Sequence, residues 1–123
     1  MCARSILQCV PTIQNVNSYY LNYAASVNDP IERFKVFMTT TVAPLYKGQF
    51  FEKPLNPVLG ETYQAKSPDG AMIFMEQTCH HPPISHMLIE GPEGKYRVSG
   101  YSECVVKFSV TSINVTMLGH KQV

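Results

Sequence analysis

Apolar positions along the chain change their spacing once. From residue 3 to about residue 43 they recur every three or four positions, and from Glu61 onward they alternate with polar ones. The first pattern is that of amphipathic helices, the second that of half-buried strands. Pro11 interrupts the first stretch and predicts a short helix, a break, and a second helix from Thr12, with Ile13, Val16, Tyr20, Tyr23, Ala24 and Val27 on one face. Asn28-Asp29-Pro30 marks the next boundary. Asp29 can cap, Pro30 suits a first helical position, and Glu32 stands where a capping box needs it. The next helix carries an apolar stripe of Ile31, Phe34, Met38 and Val42, with Phe37 beside it. It is expected to end near Ala43, because Thr39-Thr40-Thr41 loses side-chain freedom in a helix and Pro44 comes next.

Between Pro44 and Pro57, three prolines and Gly48 predict an irregular connection, with at most a short strand near Gln49-Phe50-Phe51. Beyond it lie candidate strands at Thr62–Lys66, Ala71–Gln77, Ile84–Glu90, Lys95–Ser102, Cys104–Val110 and Ser112–Leu118. Ser67-Pro68-Asp69-Gly70 and Gly91-Pro92-Glu93-Gly94 are hairpin connections between them. Short strands in sequence with tight turns make an antiparallel meander. The expectation is one α+β domain with N-terminal helices over 3–43, a connecting loop over 44–60 and an antiparallel β-meander over 61–118. Val110, Ile113, Val115 and Met117 would leave an apolar edge strand with nothing to pair it, an invitation to self-association.

Composition narrows the functional classes. Hydrophobic residues make up 45% and charged residues 15%, the latter well below the usual ~25%, so much of the surface is neutral or covered. A net charge of +1 argues against nucleic-acid binding through a basic patch. No apolar run approaches the ~20 residues of a membrane span, and the N-terminus lacks the apolar core of a secretory signal. Cys2, Cys9, Cys79 and Cys104 form no CxxC pair, which predicts free thiols and a cytoplasmic setting. Asn114-Val115-Thr116 matches a glycosylation acceptor but reads as strand.

The stretch with the most chemistry is Thr78-Cys79-His80-His81-Pro82-Pro83. It lies between the apolar runs Ala71–Met75 and Ile84–Ile89. The two prolines fix φ and remove two backbone donors, so a strand should end here in a stiff corner displaying imidazoles. Such a corner suits an anionic group, since imidazole N–H groups donate to phosphate oxygens. The local alternatives are histidines that merely cap the turn, or a zinc site of Cys79, His80, His81 and His86. Neighbours on an extended chain point to opposite faces, and no second ligand pair has zinc spacing, so no metal is expected. Glu61 and Glu76 could form an acid–base pair, but no nucleophile motif accompanies them and a structural role is preferred. Tyr19, Tyr20, Tyr23, Phe34, Phe37, Phe74, Met72 and Met75 read first as core, and would also suit an adaptable apolar pocket.

Glu76-Gln77-Thr78-Cys79-His80-His81-Pro82-Pro83 closely resembles the signature of the oxysterol-binding protein-related family of lipid-transfer proteins, usually Glu-Gln-Val-Ser-His-His-Pro-Pro. Thr78 and Cys79 replace its Val and Ser with other small residues. A second family element lies upstream, Lys53-Pro54-Leu55-Asn56-Pro57-Val58-Leu59-Gly60-Glu61-Thr62. The resemblance covers nearly the whole chain and corresponds to the N-terminal part of the family's lipid-binding domain, a large incomplete β-barrel around a lipid tunnel. It implies that His80 and His81 bind the phosphate of phosphatidylinositol 4-phosphate, that Lys53 joins them, and that Leu55 and Asn56 add donors. Pro54, Pro57 and Gly60 would shape the loop. The implied function is non-catalytic lipid binding and intermembrane transfer of a sterol or that phosphoinositide, without cofactor, at a peripheral membrane surface. A regulatory or interaction fragment of the same fold without transport is the alternative. A His-dependent hydrolase is a third reading, and it lacks a recognisable oxyanion hole or nucleophile.

Overall fold

Two helices are laid against one end of a five-stranded sheet. The computed structural model describes residues 4–47 and 55–123. Helix α1 spans Ile6–Ser26 and α2 spans Pro30–Lys47. The strands are β1 (Thr62–Lys66), β2 (Met72–Cys79), β3 (Ile84–Glu90), β4 (Arg97–Phe108) and β5 (Ile113–Gln122). They pair antiparallel in chain order, the meander expected from the turn signals. A 3-10 turn at Pro92–Gly94 joins β3 to β4.

The helices depart from expectation in three ways. Helix α1 runs through Pro11 without a break and starts at Ile6, with Ser5 rather than Thr12 as its cap. The Gln8 side chain reaches back to accept from the Ser5 N–H at 3.1 Å. A proline in the second turn forfeits one backbone bond, and burial of Leu7 and Leu21 against the sheet outweighs that loss. Helix α2 begins as predicted, with Asp29 Oδ1 accepting from the Ile31 and Glu32 N–H groups at 2.9 and 2.8 Å. Glu32 turns to Lys35, at 3.3 Å. At its other end α2 continues past Pro44 to Lys47. Thr39, Thr40 and Thr41 each donate a hydroxyl hydrogen bond to a carbonyl of the preceding turn (Lys35, Phe37 and Met38), a local alternative that ties the turn together where proline weakens it.

The third departure is which face is buried. The predicted stripe Ile31, Phe34, Met38 and Val42 is exposed, and α2 instead buries Val36 and Thr40. On α1, Tyr19 and Tyr23 are exposed while Ser18, Leu21 and Ala24 are buried. The core comprises Leu7, Leu21, Ala71, Ile73, Met75, Ile89 and Val98, with Phe37, Tyr63 and Met87 packed around it. It lies under β1, β2, β3 and the start of β4. Tyr20, Phe74 and Met72 are half-buried.

The sheet has five strands instead of six. The segments Lys95–Ser102 and Cys104–Val110 fuse into β4, because nothing around Ser102-Glu103-Cys104 turns the chain. Two glycines let β4 and β5 close up. A side chain at Gly100 would lie 2.3 Å from the His120 carbonyl oxygen, and Gly119, at φ +138°, sits against the Tyr101 carbonyl. Every residue of β5 is exposed. Asn114, Val115 and Thr116 are part of this strand.

Candidate functional site

The loop before β1 and the corner after β2 are knitted together by backbone. The Gly60 N–H donates to the Gln77 carbonyl at 2.8 Å, and the Gln77 N–H donates to the Glu61 carbonyl at 2.9 Å. A register shift between Gln77 and Cys79 leaves Thr78 as an extra residue on β2, a bulge that re-aims the histidine corner beyond it. Thr78 Oγ1 meets His86 Nδ1 at 2.7 Å. The Gln77 side chain is buried, donating to the Cys79 carbonyl at 2.9 Å and accepting from the Ser85 hydroxyl. The corner is thus anchored from inside before His80 is reached.

At the corner, His80 Nδ1 lies 3.1 Å from the buried Pro57 carbonyl oxygen. A carbonyl oxygen can only accept, so Nδ1 carries the hydrogen and Nε2 is the free position. The rings of His80 and His81 meet edge to face, 4.6 Å between centroids and 71° between planes. His80 is half-buried and His81 is exposed, and the His81–Pro82 bond is cis. The Pro83 carbonyl accepts from the Cys104 N–H at 3.1 Å, tying the corner to β4.

The upstream loop is held by the start of α1. Leu55 pairs in parallel with Ser5: its N–H donates to the Arg4 carbonyl and its carbonyl accepts from the Ile6 N–H, both at 2.9 Å. The Leu55 and Asn56 side chains are exposed. Lys53 lies outside the described residues. Glu61 accepts from the Ser5 hydroxyl at 2.5 Å and from the Val58 N–H at 3.1 Å, so this carboxylate braces the loop on the helix cap. Glu76 is exposed on the opposite face of the sheet, in register with His86. His86 stacks on Tyr101 at 5.6 Å and lies on β3, outside the corner. No group of three or more His, Cys, Asp or Glu among the described residues could hold a metal ion. Cys9, Cys79 and Cys104 are free thiols.

Three contributors were not singled out from the sequence: the Pro57 carbonyl, the Gln77 amide and the Ser5 cap. Only Gln77 had a local signal, as a polar residue at an inward-facing strand position.

The oxysterol-binding protein family profile matches residues 3–123. The chain belongs to the oxysterol-binding protein family. It is 41% identical over 99 residues to oxysterol-binding protein 9 of Dictyostelium discoideum, covering 80% of the present chain and 23% of that protein. It is 34% identical over 107 residues to human oxysterol-binding protein-related protein 1, covering 84% and 11%. Among solved structures, the Osh1 ORD domain in complex with ergosterol superposes with a TM-score of 0.82 at 33% identity, over 96% of this chain and 28% of that one. The Osh3 ORD of Saccharomyces cerevisiae in complex with PI(4)P gives 0.74 at 26% identity, over 94% and 31%. The chain therefore spans less than a third of the domains it matches. Members of this family are non-catalytic lipid-binding proteins. No described helix is long and apolar enough to cross a membrane.

Proposed function

We propose that these residues form the N-terminal part of a non-catalytic lipid-binding domain that carries a sterol or phosphatidylinositol 4-phosphate between membranes from the cytoplasmic side. Residues 4–47 would supply the helical layer, the loop before β1 the headgroup motif, and β1–β5 the first strands of the barrel wall. The phosphate would be held by His80 and His81, with Lys53, Leu55 and Asn56 contributing from the neighbouring loop.

The observation that carries this reading is the bond from His80 to Pro57. It joins the two motifs through residues 23 positions apart, and it fixes the tautomer. With Nδ1–H committed to a carbonyl, the Nε2 of a neutral His80 is an acceptor and would oppose a phosphate oxygen. Donation to phosphate requires the imidazolium. Two imidazolium rings 4.6 Å apart repel each other, and a dianionic phosphomonoester between them removes that cost. Headgroup binding is therefore expected to take up a proton and to weaken with rising pH. Calorimetry in buffers of different ionisation enthalpy reads that proton directly.

Replacing both histidines (His80→Ala with His81→Ala) should cut phosphoinositide binding to liposomes sharply while sparing sterol binding. Each charge-assisted hydrogen bond is worth about 1.5–3 kcal/mol. Equal loss of both lipids with an unchanged circular dichroism spectrum would count against the assignment.

A further inference from the structure

Register places Ile113, Val115, Met117, Gly119 and Lys121 of β5 on the same face as Val98, Gly100 and Ser102 of β4, the face the helices cover at the other end of the sheet. Lys121 is the one charged side chain of β5 on that face. It lies in the wall shared by two cavities. One, of about 320 Å³, is bounded by Leu21, Phe37, Pro44, Ile89 and Val98. The other, of about 140 Å³, is bounded by Ile6, Leu7, Val10, Met75 and Met117. Lys121 has no carboxylate within ion-pair distance and no hydrogen-bond partner among the described residues. It keeps contact with solvent, so a ligand can reach it.

The apolar walls desolvate the ammonium on its cavity side while its other side meets water, and its pKa is lowered by that partial desolvation. A counter-charge arriving with a ligand would supply what the protein does not. The space favours a compact head. The rest of the lining adds only neutral hydroxyls, among them those of Thr40, Thr41, Ser85 and Ser102. These can donate to a carboxylate but give no second cation for the double charge of a phosphate monoester.

We propose that Lys121 anchors the carboxylate of an otherwise apolar ligand, an acyl chain or a sterol acid, whose body fills these two cavities. This rests on the lipid-binding reading above and names a ligand class for it.

The test uses the full chain with oleate and oleyl alcohol, which share one hydrocarbon body, titrated calorimetrically below their aggregation concentrations. The native chain is expected to favour oleate by at least about tenfold, the size of one charge-assisted hydrogen bond. Lys121→Met should abolish that preference while keeping oleyl alcohol affinity, and Lys121→Arg should retain it. Should the Met variant lose its near-ultraviolet dichroism, Lys121→Gln, which keeps a donor but not the charge, is expected to lose the preference too. Equal affinity for the two ligands in the native chain, or a preference that survives both neutral substitutions, overturns the proposal. Cholesterol and phosphatidylinositol 4-phosphate vesicles are assayed alongside. Absence of binding to both, with the oleate preference intact, would sink the transfer reading and leave this one standing; the reverse pattern would do the opposite.

Discussion

The two ends of the sheet obey different rules. Under β1–β3, α1 closes a core in which Leu7, Ala71 and Ile73 are fully buried, and the histidine corner is held by Pro57, Gln77 and Cys104. Along the far half of β4 and all of β5, side chains as apolar as Phe108, Ile113 and Val115 remain 60–77% exposed. Both regions alternate and both are rich in strand-forming residues. The difference lies in what faces them: a helix supplies a second layer at one end, and no described element does so at the other. Alternation therefore sets which residues share a face, and only packing decides whether that face becomes core.

The largest expected effect sharpens this contrast. Ile73→Ala removes a fully buried side chain and should cost about 2–5 kcal/mol by urea denaturation. Val115→Ala, on the exposed strand, should stay within about 0.5 kcal/mol. Comparable losses at the two sites would show that β5 is covered after all.

Next comes the brace between the helix cap and the motif loop. Glu61→Ala leaves the Ser5 hydroxyl and the Val58 N–H without their acceptor, and should cost about 1–3 kcal/mol. If the loop positions the headgroup site, phosphoinositide binding should fall with it, and Glu61→Gln should restore part of both. Stability lost with binding unchanged would separate the brace from the site.

Legibility divides along the same line. The meander could be read because Ser67-Pro68-Asp69-Gly70 and Gly91-Pro92-Glu93-Gly94 are local turn chemistry, and Asp29 because a cap acts on its own next turn. The fold class, the family and the strand-to-corner form around His80 came from signals of that range. Features that could not be read depended on neighbours distant in sequence. Pro11 looked like a break because the burial of Leu7 and Leu21 is invisible locally. The stripe of Ile31, Phe34, Met38 and Val42 looked inward-facing, yet α2 buries the side bearing Val36 and Thr40. The Pro57 carbonyl acquires meaning only when the two motifs are brought together, and Lys121 only when β5 is placed in register.

A smaller effect, in pH, separates the two ends by sign. Tyr96, at the closed end, is pushed up to about 12 by burial and by the nearby Asp69 charge. That carboxylate also accepts from Ser18 Oγ and Asn22 Nδ2 at 3.1 and 2.8 Å. Between pH 10 and 12 the folded chain holds a proton that the unfolded chain has lost, so stability falls as pH rises through that window. Lys121, on the open strand, is lowered from 10.5 by partial desolvation on its cavity side. Below 10.5 the unfolded chain holds the extra proton, so this group makes stability rise with pH until that value. Urea midpoints should therefore climb and then drop across the alkaline range. Tyr96→Phe is expected to remove the drop and Lys121→Met the climb; a profile unchanged by either substitution would break the assignment.

The smallest effect on stability, and the sharpest on behaviour, concerns the outer edge of β5. Its ten residues are all exposed, and β4 is its only strand partner among the described residues. Unpaired N–H and C=O groups along a strand of alternating apolar residues form a template for another strand. Chains of these 123 residues should therefore associate edge to edge, and light scattering after size exclusion should give a mass that rises with concentration. Val115→Lys puts a charge on the exposed apolar face and leaves the backbone of β5 and its register with β4 intact. It should favour the monomer while moving the urea midpoint little, because Val115 is already 60% exposed. A concentration-independent monomer in the native chain would mean that this edge is protected, and that the open end of the sheet is less available than its exposure implies.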